Sequence, residues 1–483
     1  MRKQDAPILD PQDPMRSARE LVTSNFTTEK LRTLHRHRGA FWSWTGSYYR
    51  LIGDDTIKAG IWAFLEKAMR PAPEGPPKPF KPNRARVSDV LDALGAVCNL
   101  DAFISPPAWL TQHDAPPAAE LLACGNGLLH LPTGKLYPRS PDYFNLGATD
   151  VAFDQDATEP TQWLAFLDEL FGTDREAIEL LQDWFGYSLA PDTSQQKILL
   201  MVGPKRSGKG TTARIISAML GRDSVAGPTM SSLGETFGLE PLITKTLAIV
   251  SDARIGTRTD RSVITERLLS ISGEDQMTIA RKFLSAWHGR LATRFVVLTN
   301  ELPSLSDGSG ALAGRFVVLV LTASFFGRED PALFNKLATE LPAILNWSII
   351  GYRRLRERGH FVQPASSLDA VDDIEMLGAP VKAFIRGCCD IRPGMTVMAD
   401  DLWATWQHWC AVEGQKVGTR AWFGRNLRTA APGITRTRPR HADREDRGEQ
   451  REIAYSGIAL KPGAKEARAT EANTARAAAR GWL

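Results

Sequence analysis

The 483-residue chain is 43% hydrophobic and 24% charged with a net charge of +4, globular values that exclude a disorder-dominated chain. No apolar stretch approaches the ~20 residues of a membrane helix, so no membrane association is expected, and the length points to about three domains. Five cysteines, Cys98, Cys124, Cys388, Cys389 and Cys410, form no Cys-x-x-Cys pair and have no histidine at ligand spacing, which argues against a zinc module or a disulfide framework.

In chain order, the first expected unit is an α+β region over residues 1–120. Met1–Pro14 is polar and proline-broken, without the apolar segment of a signal peptide, so a cytoplasmic home is expected. Phe41-Trp42-Ser43-Trp44 and Tyr48-Tyr49-Arg50-Leu51 flank a Thr45-Gly46-Ser47 turn, predicting a hairpin, and the pattern from Ile57 to Met69 predicts a helix. Aromatics interleaved with arginine can stack on single-stranded bases, although packing against the helix is their commoner use. Asp54-Asp55 reads as a solvated turn. Six prolines between Pro71 and Asn83 predict a stiff connector.

A helical domain is expected over 121–195. It opens on a short hairpin region, Asn126 to Phe144, with Pro132-Thr133-Gly134-Lys135 as its turn. Two amphipathic helices follow, one carrying Trp163, Phe166, Leu167, Leu170 and Phe171 on one face, the other Ala177, Leu180, Leu181, Trp184, Phe185 and Leu189. The next unit, 196–360, has four apolar runs, Ile198 to Val202, Leu247 to Val250, Phe295 to Leu298 and Phe316 to Leu321. Continuous apolar strands are buried on both faces, so an α/β core with a parallel sheet is expected, closed by a helix over Pro342 to Arg358. Residues 361–380 include the polar run Gln363 to Asp373 and read as a linker. Residues 381–460 include a compact helical unit over Val381 to Leu427, and 461–483 is an Ala/Arg-rich tail. From Arg420 to Leu483 there are 14 basic and 7 acidic residues, compatible with contact to a phosphate backbone.

The most informative stretch is Gly203-Pro204-Lys205-Arg206-Ser207-Gly208-Lys209-Gly210-Thr211-Thr212, directly behind the first apolar run. Strand, glycine-rich loop and helix in this order cradle a triphosphate: backbone N–H groups turn inward and the lysine reaches the β and γ phosphates. Gly210 occupies the usual hydroxyl position, which leaves Thr211 to help hold Mg²⁺. Two later strand ends complete the set. Asp252, after Leu247 to Val250, is placed as an acid beside the metal shell. Asn300, after Phe295 to Leu298, can orient the attacking water or read the γ phosphate. Arg315 opens the last strand, where a guanidinium can reach a neighbouring subunit.

The phosphate loop, Asp252, Ser272-Gly273-Glu274-Asp275, Arg281-Lys282-Phe283, Thr299-Asn300 and Gly314-Arg315-Phe316, in this order, resemble the superfamily 3 helicase core. More narrowly, they are similar to the helicase half of phage and plasmid primase-helicases related to the poxvirus primase-helicase. The flanks resemble it too: Asn126 to Tyr187 looks like the domain that precedes the ATPase, and Val381 to Leu427 like a C-terminal winged-helix region. The resemblance implies an AAA+-like P-loop ATPase core and ATP-dependent translocation on single-stranded or forked DNA. It implies a homo-oligomer, a hexameric ring, working in the cytoplasm of a bacterial host with a separate primase or loader. Lys209 and Thr211 would serve ATP and Mg²⁺, Asp252 would polarise the metal shell, Asn300 would be the sensor and Arg315 the finger acting in trans. Met277 to Arg290 would form the channel hairpin, with Arg281 and Lys282 on DNA phosphates and Phe283 near sugar or base. Two positions depart from the pattern. Ser251 stands where many such helicases carry a second acid, and Glu274 replaces a common glycine.

A primase half is not expected, because Asp54-Asp55 is the one carboxylate pair ahead of the family-like region. Two other classes compete. A nucleoside monophosphate kinase matches Gly208 to Thr211 locally but lacks a following Arg-rich lid. A nucleotide-binding replication or assembly protein without helicase activity fits the serine at 251.

Overall fold

The computed structural model describes residues 6–111, 114–254, 260–282, 284–303, 311–437 and 453–463. At its centre is a five-stranded sheet built from β1 (Ile198–Val202), β2 (Val225–Ala226), β3 (Leu247–Val250), β4 (Arg294–Thr299) and β5 (Phe316–Val320). The strands lie in the order β2-β3-β4-β1-β5 and every pairing is parallel. The four apolar runs are β1, β3, β4 and β5, β1 and β3 with the expected bounds. The short β2 carries no such run, and it pairs through only two residues, Val225 with Leu247 and Ala226 with Ala248.

Alternate residues of each strand face opposite layers, and the burial follows. Leu199, Met201, Val296, Leu298, Val317 and Leu319 join one core with the helices Thr161–Phe171, Arg175–Leu189, Lys209–Leu220 and Leu341–Arg358. Leu200, Val250, Phe295, Val297 and Val318 join a second core with Arg261–Ser272 and the hairpin residues Ile279 and Trp287. Each such side chain contributes about 1.5–3 kcal/mol on burial, so the sheet is held from both sides. The helices Arg175–Leu189 and Leu341–Arg358 cross closely: a Cβ on Gly186 would lie 2.1 Å from the backbone nitrogen of Tyr352, and one on Gly351 2.2 Å from the carbonyl of Gln182.

Ahead of the sheet, the expected hairpin forms from Ala40–Trp44 and Tyr49–Ile52, with Trp44 opposite Tyr49. It is part of a four-stranded sheet that shares a core with the helices Pro14–Asn25, Asp54–Glu66 and Arg84–Val97. Asp54 and Asp55 are not a turn. They form the first helical turn, where carboxylates complement the positive end of the helix. The proline-rich connector includes the short strand Lys78–Pro79, paired with Met69–Arg70. This unit meets the core at Asp223, which accepts from the Tyr48 hydroxyl and, at 3.0 Å, from Arg50 Nη2.

The linker expected over 361–380 is largely helical. Leu368–Gly378 forms a helix whose Ile374 is buried in the second core. Its polar sequence reflects a helix with one narrow buried stripe. The C-terminal unit is more than helical. Helices Pro380–Cys388, Ala399–Val412 and Arg420–Ala430 pack on an antiparallel sheet of Cys389–Met398, Ala454–Leu460 and Thr435–Thr437. An irregularity between Ile391 and Thr396 interrupts the register of the first strand and hides its alternation. The tail from residue 464 lies outside the described residues.

Candidate nucleotide-binding site

Parallel strands deliver their C-terminal ends to one edge of a sheet. Here that edge carries the loops after β1, β3, β4 and β5. Gly203 packs so closely on the β5 exit that a Cβ would lie 2.5 Å from the Leu321 carbonyl. Gly208 adopts φ +83°, and a Cβ there would meet Leu170 at 2.5 Å and Phe166 at 3.2 Å. The helix Thr161–Phe171 therefore backs the loop and admits only glycine at this turn. The helix Lys209–Leu220 starts from Gly208 without a side-chain cap hydrogen bond, which leaves its first N–H groups without a side-chain acceptor at the loop.

Lys209 is buried, and its ammonium donates to the carbonyls of Gly203 at 2.7 Å and Pro204 at 2.8 Å and to Ser207 Oγ at 3.0 Å. Burial holds its pKa below the usual lysine value. Its fourth neighbour is Asn300 Oδ1 at 3.4 Å, brought in by β4. Thr212 Oγ1 donates to the Gly208 carbonyl at 3.3 Å, while Thr211 is half-buried in the first helical turn. Lys205, Arg206 and Gly210 are exposed, and a Cβ at Gly210 meets open space, so the missing hydroxyl there is not imposed by packing.

Asp252 lies two residues past the end of β3, whose Val250 pairs with Val297 of β4. Its carboxylate is held by Arg254, which donates through Nε at 2.8 Å and Nη2 at 2.6 Å. That guanidinium keeps the Asp252 carboxyl below the usual carboxylate range. Sequence reasoning missed Arg254; its position two residues from the acid was the available signal. Ser251 is exposed at the same strand end. Among the described residues no cluster of three or more His, Cys, Asp or Glu is arranged to hold a metal. Mg²⁺ that arrives with phosphate ligands needs only one or two protein oxygens, so the donor set of Asp252 and Thr211 is compatible with it.

Arg315 lies elsewhere. Because Phe316 pairs with Ile198, Arg315 sits at the opposite edge of the sheet from the phosphate loop, a five-residue strand or about 16 Å away. There it donates to the side chain and the carbonyl of Gln196, and Lys197 Nζ donates to the Gly314 carbonyl at 2.6 Å. Burial, then the charge of Arg315, lowers the Lys197 pKa.

The expected hairpin is present as Met277–Arg281 paired with Leu284–Gly289. Arg281 is half-buried, and its Nε donates to the Ser285 carbonyl at 2.8 Å across the turn; Lys282 is exposed, with its backbone N–H donating to Glu240 Oε2 at 3.1 Å. Phe283 lies outside the described residues. At the hairpin root, the Arg38 guanidinium of the N-terminal unit lies 5.7 Å from the Trp287 ring centroid. Glu274, at the position where glycine is common, has φ +64°, a left-handed conformation that favours glycine, and its carboxylate accepts from the Thr193 hydroxyl.

With this geometry in place, the similarity to known proteins divides the chain. Residues 83–172 match the family described as D5 N terminal like. Residues 201–315 match a family of unknown function, DUF5906, a stretch that contains the phosphate loop, Asp252, the hairpin, Asn300 and Arg315. The D5 match begins before residue 121 and takes in the helix Arg84–Val97. Among solved structures, the chain is similar to the apo structure of the NrS-1 C terminal region, at 12% identity over 93% of this chain and 100% of that one, with a TM-score of 0.52. The A form apo structure of the same region matches at 12% identity over 87% of each chain, with a TM-score of 0.48. The first likeness is one of fold, a mixed α/β architecture around a parallel sheet. No helix among the described residues is long and apolar enough to cross a membrane.

Proposed function

We propose that this chain is an ATP-dependent DNA helicase or translocase of a phage, prophage or plasmid replication system, built around a P-loop ATPase core and working as a ring in the cytoplasm of a bacterial host. The observation that carries the reading is the division of charges between the two edges of the sheet. Lys209 and Asn300 meet at the C-terminal edge, while Arg315 stands at the opposite edge, out of reach of its own phosphate loop. A guanidinium so placed serves a neighbouring copy, which makes a homo-oligomer, hexameric in the related helicases, part of the mechanism. The D5 N terminal like match of residues 83–172 supports a place among replication primase-helicases.

In this reading, the backbone of Gly203 to Gly208 and the open helix terminus bind the phosphates of ATP. Lys209 leaves the loop carbonyls for the β and γ oxygens, and Asn300 orients the attacking water. Thr211 and Asp252 would hold Mg²⁺, which when bound would neutralise charge on the phosphate oxygens. Asp252 must part from Arg254 to do so. The hairpin of Met277–Arg281 and Leu284–Gly289 bears on the DNA, with Arg281 and Lys282 on its phosphates. The C-terminal helices and sheet act as a winged-helix-like DNA-binding module.

A second reading, a nucleotide-binding replication or assembly protein without helicase activity, is favoured by one feature. The Asp252 carboxylate is ion-paired to Arg254, with Ser251 rather than a second acid next to it in the chain. ATP turnover with and without single-stranded DNA separates the two. DNA-stimulated hydrolysis that Lys209→Ala abolishes supports the motor; nucleotide binding without turnover supports the second reading.

A further inference from the structure

We propose that Phe326 is the nucleobase platform of this site: the base of a bound nucleoside triphosphate stacks on its ring. The inference rests on the nucleotide reading of the loop and adds the part of the ligand that the loop itself does not address. Residues 203–212 contain no aromatic or large apolar side chain. Such a loop holds phosphates and offers a flat base nothing to lie against.

The segment after β5 supplies that surface. It leaves the sheet at the same edge as the phosphate loop and runs beside it. The Leu321 N–H donates to the Val202 carbonyl at 2.8 Å, Ser324 Oγ to the Lys205 carbonyl at 2.9 Å, and the Phe325 N–H to the Arg206 carbonyl at 2.8 Å. Glu329 adds an ion pair to Arg206 Nε at 3.4 Å. The chain then turns back on itself, as the Arg328 N–H donates to the Phe325 carbonyl at 2.8 Å with Gly327 at φ +78°. Positive φ at the third position of a four-residue turn is the type II arrangement, which places Phe326 at the corner.

The two phenylalanines have opposite fates. Phe325 is half-buried against the core that backs the sheet, and the Arg328 guanidinium lies 5.8 Å from its ring. Phe326 is 78% exposed. One ring anchors the turn and the next is held out in water beside the phosphate loop. An exposed phenylalanine forgoes the stabilisation of burial, and that loss is offset when a planar ligand covers it. Stacking uses the face that every base has, so this platform separates nucleotides from bare polyphosphate and does little to separate ATP from GTP.

The test is calorimetric titration of the full chain and its variants with ATP, GTP and tripolyphosphate, each with Mg²⁺. Phe326→Ala is expected to weaken ATP and GTP alike by about tenfold and to leave tripolyphosphate unchanged, a loss in the range of one base stack. Phe326→Trp is expected to keep ATP affinity within about threefold, and its fluorescence to change with ATP by more than that of the wild type, with its 13 native tryptophans, and not with tripolyphosphate. Unchanged ATP affinity in Phe326→Ala overturns the platform, and so does an equal loss for tripolyphosphate, which would make the ring a support for the loop. Failure of the underlying reading looks different: Lys209→Ala would then bind all three ligands as the wild type does.

Discussion

The ammonium of Lys209 stands 3.4 Å from Oδ1 of Asn300, a residue delivered by a different strand. Within the loop the same ammonium is surrounded by acceptors, so the lysine waits in a position that a polyphosphate can take over. Asn300→Ala is expected to lower the ATP turnover number by about 100-fold with a small change in ATP affinity, as for loss of one positioned polar contact to developing charge. Asn300→Asp puts a carboxylate against the ammonium and is expected to weaken ATP binding by at least about tenfold. Direct titration of both variants checks the contrast; equal ATP affinity in the two would remove Asn300 from the lysine's surroundings.

Arg315 bonds to Gln196 at the far edge of the sheet, and in the proposed ring it would act on the site of a neighbouring subunit. Arg315→Ala and Lys209→Ala are each expected to lose nearly all turnover alone. Mixed in equal amounts, they are expected to regain a measurable fraction, because some interfaces then pair an intact loop with an intact arginine. No recovery in rings shown to contain both variants would count against action in trans.

The hairpin makes a separate claim about DNA. Lys282→Ala is expected to weaken single-stranded DNA binding several-fold and to reduce the slope of log affinity against log salt by about 0.7, the value for one phosphate contact on a single strand. An unaltered slope would take Lys282 out of the DNA contact set.

His35 ties stability to pH. Its ring is 6% exposed, packed 5.3 Å from Tyr49 and 6.0 Å from Phe144 between centroids. Burial first, then the charge of Arg32, lowers its pKa to about 4, with Asp142 pulling the other way and His37 adding to the shift. The unfolded chain takes up this proton below about pH 6.5 and the folded chain only near pH 4, so the contribution is complete above pH 6.5 and falls as pH drops. Between pH 7 and pH 5 the loss is about 2 kcal/mol, absent in His35→Phe. Urea unfolding of the two proteins at both pH values reads the difference, and parallel shifts would remove His35 as its source.

Much of the core was legible because its determinants are local. A strand buried on both faces must be apolar throughout, which is why Ile198 to Val202 and Leu247 to Val250 stand out. A tight loop needs glycine where the chain turns left-handed, and Gly208, at φ +83°, answers to that need. The polar run at 363–373 misled for the converse reason: a helix with one buried residue, Ile374, carries little periodic signal. Asp54-Asp55 misled because two acids suit a helix start as well as a turn.

By itself, the sequence determined four of the five segments that enter the sheet and that one of them ends in a glycine-rich turn, since both follow from the chemistry of contiguous residues. Only the tertiary structure decided who meets whom. Strand order sets Asn300 beside Lys209, parallel pairing sends Arg315 to the far edge, and the hydrogen bonds from Ser324 and Phe325 hold Phe326 out beside the loop. Such contacts join residues far apart in the chain, and they exist only once the buried strands have paired in register.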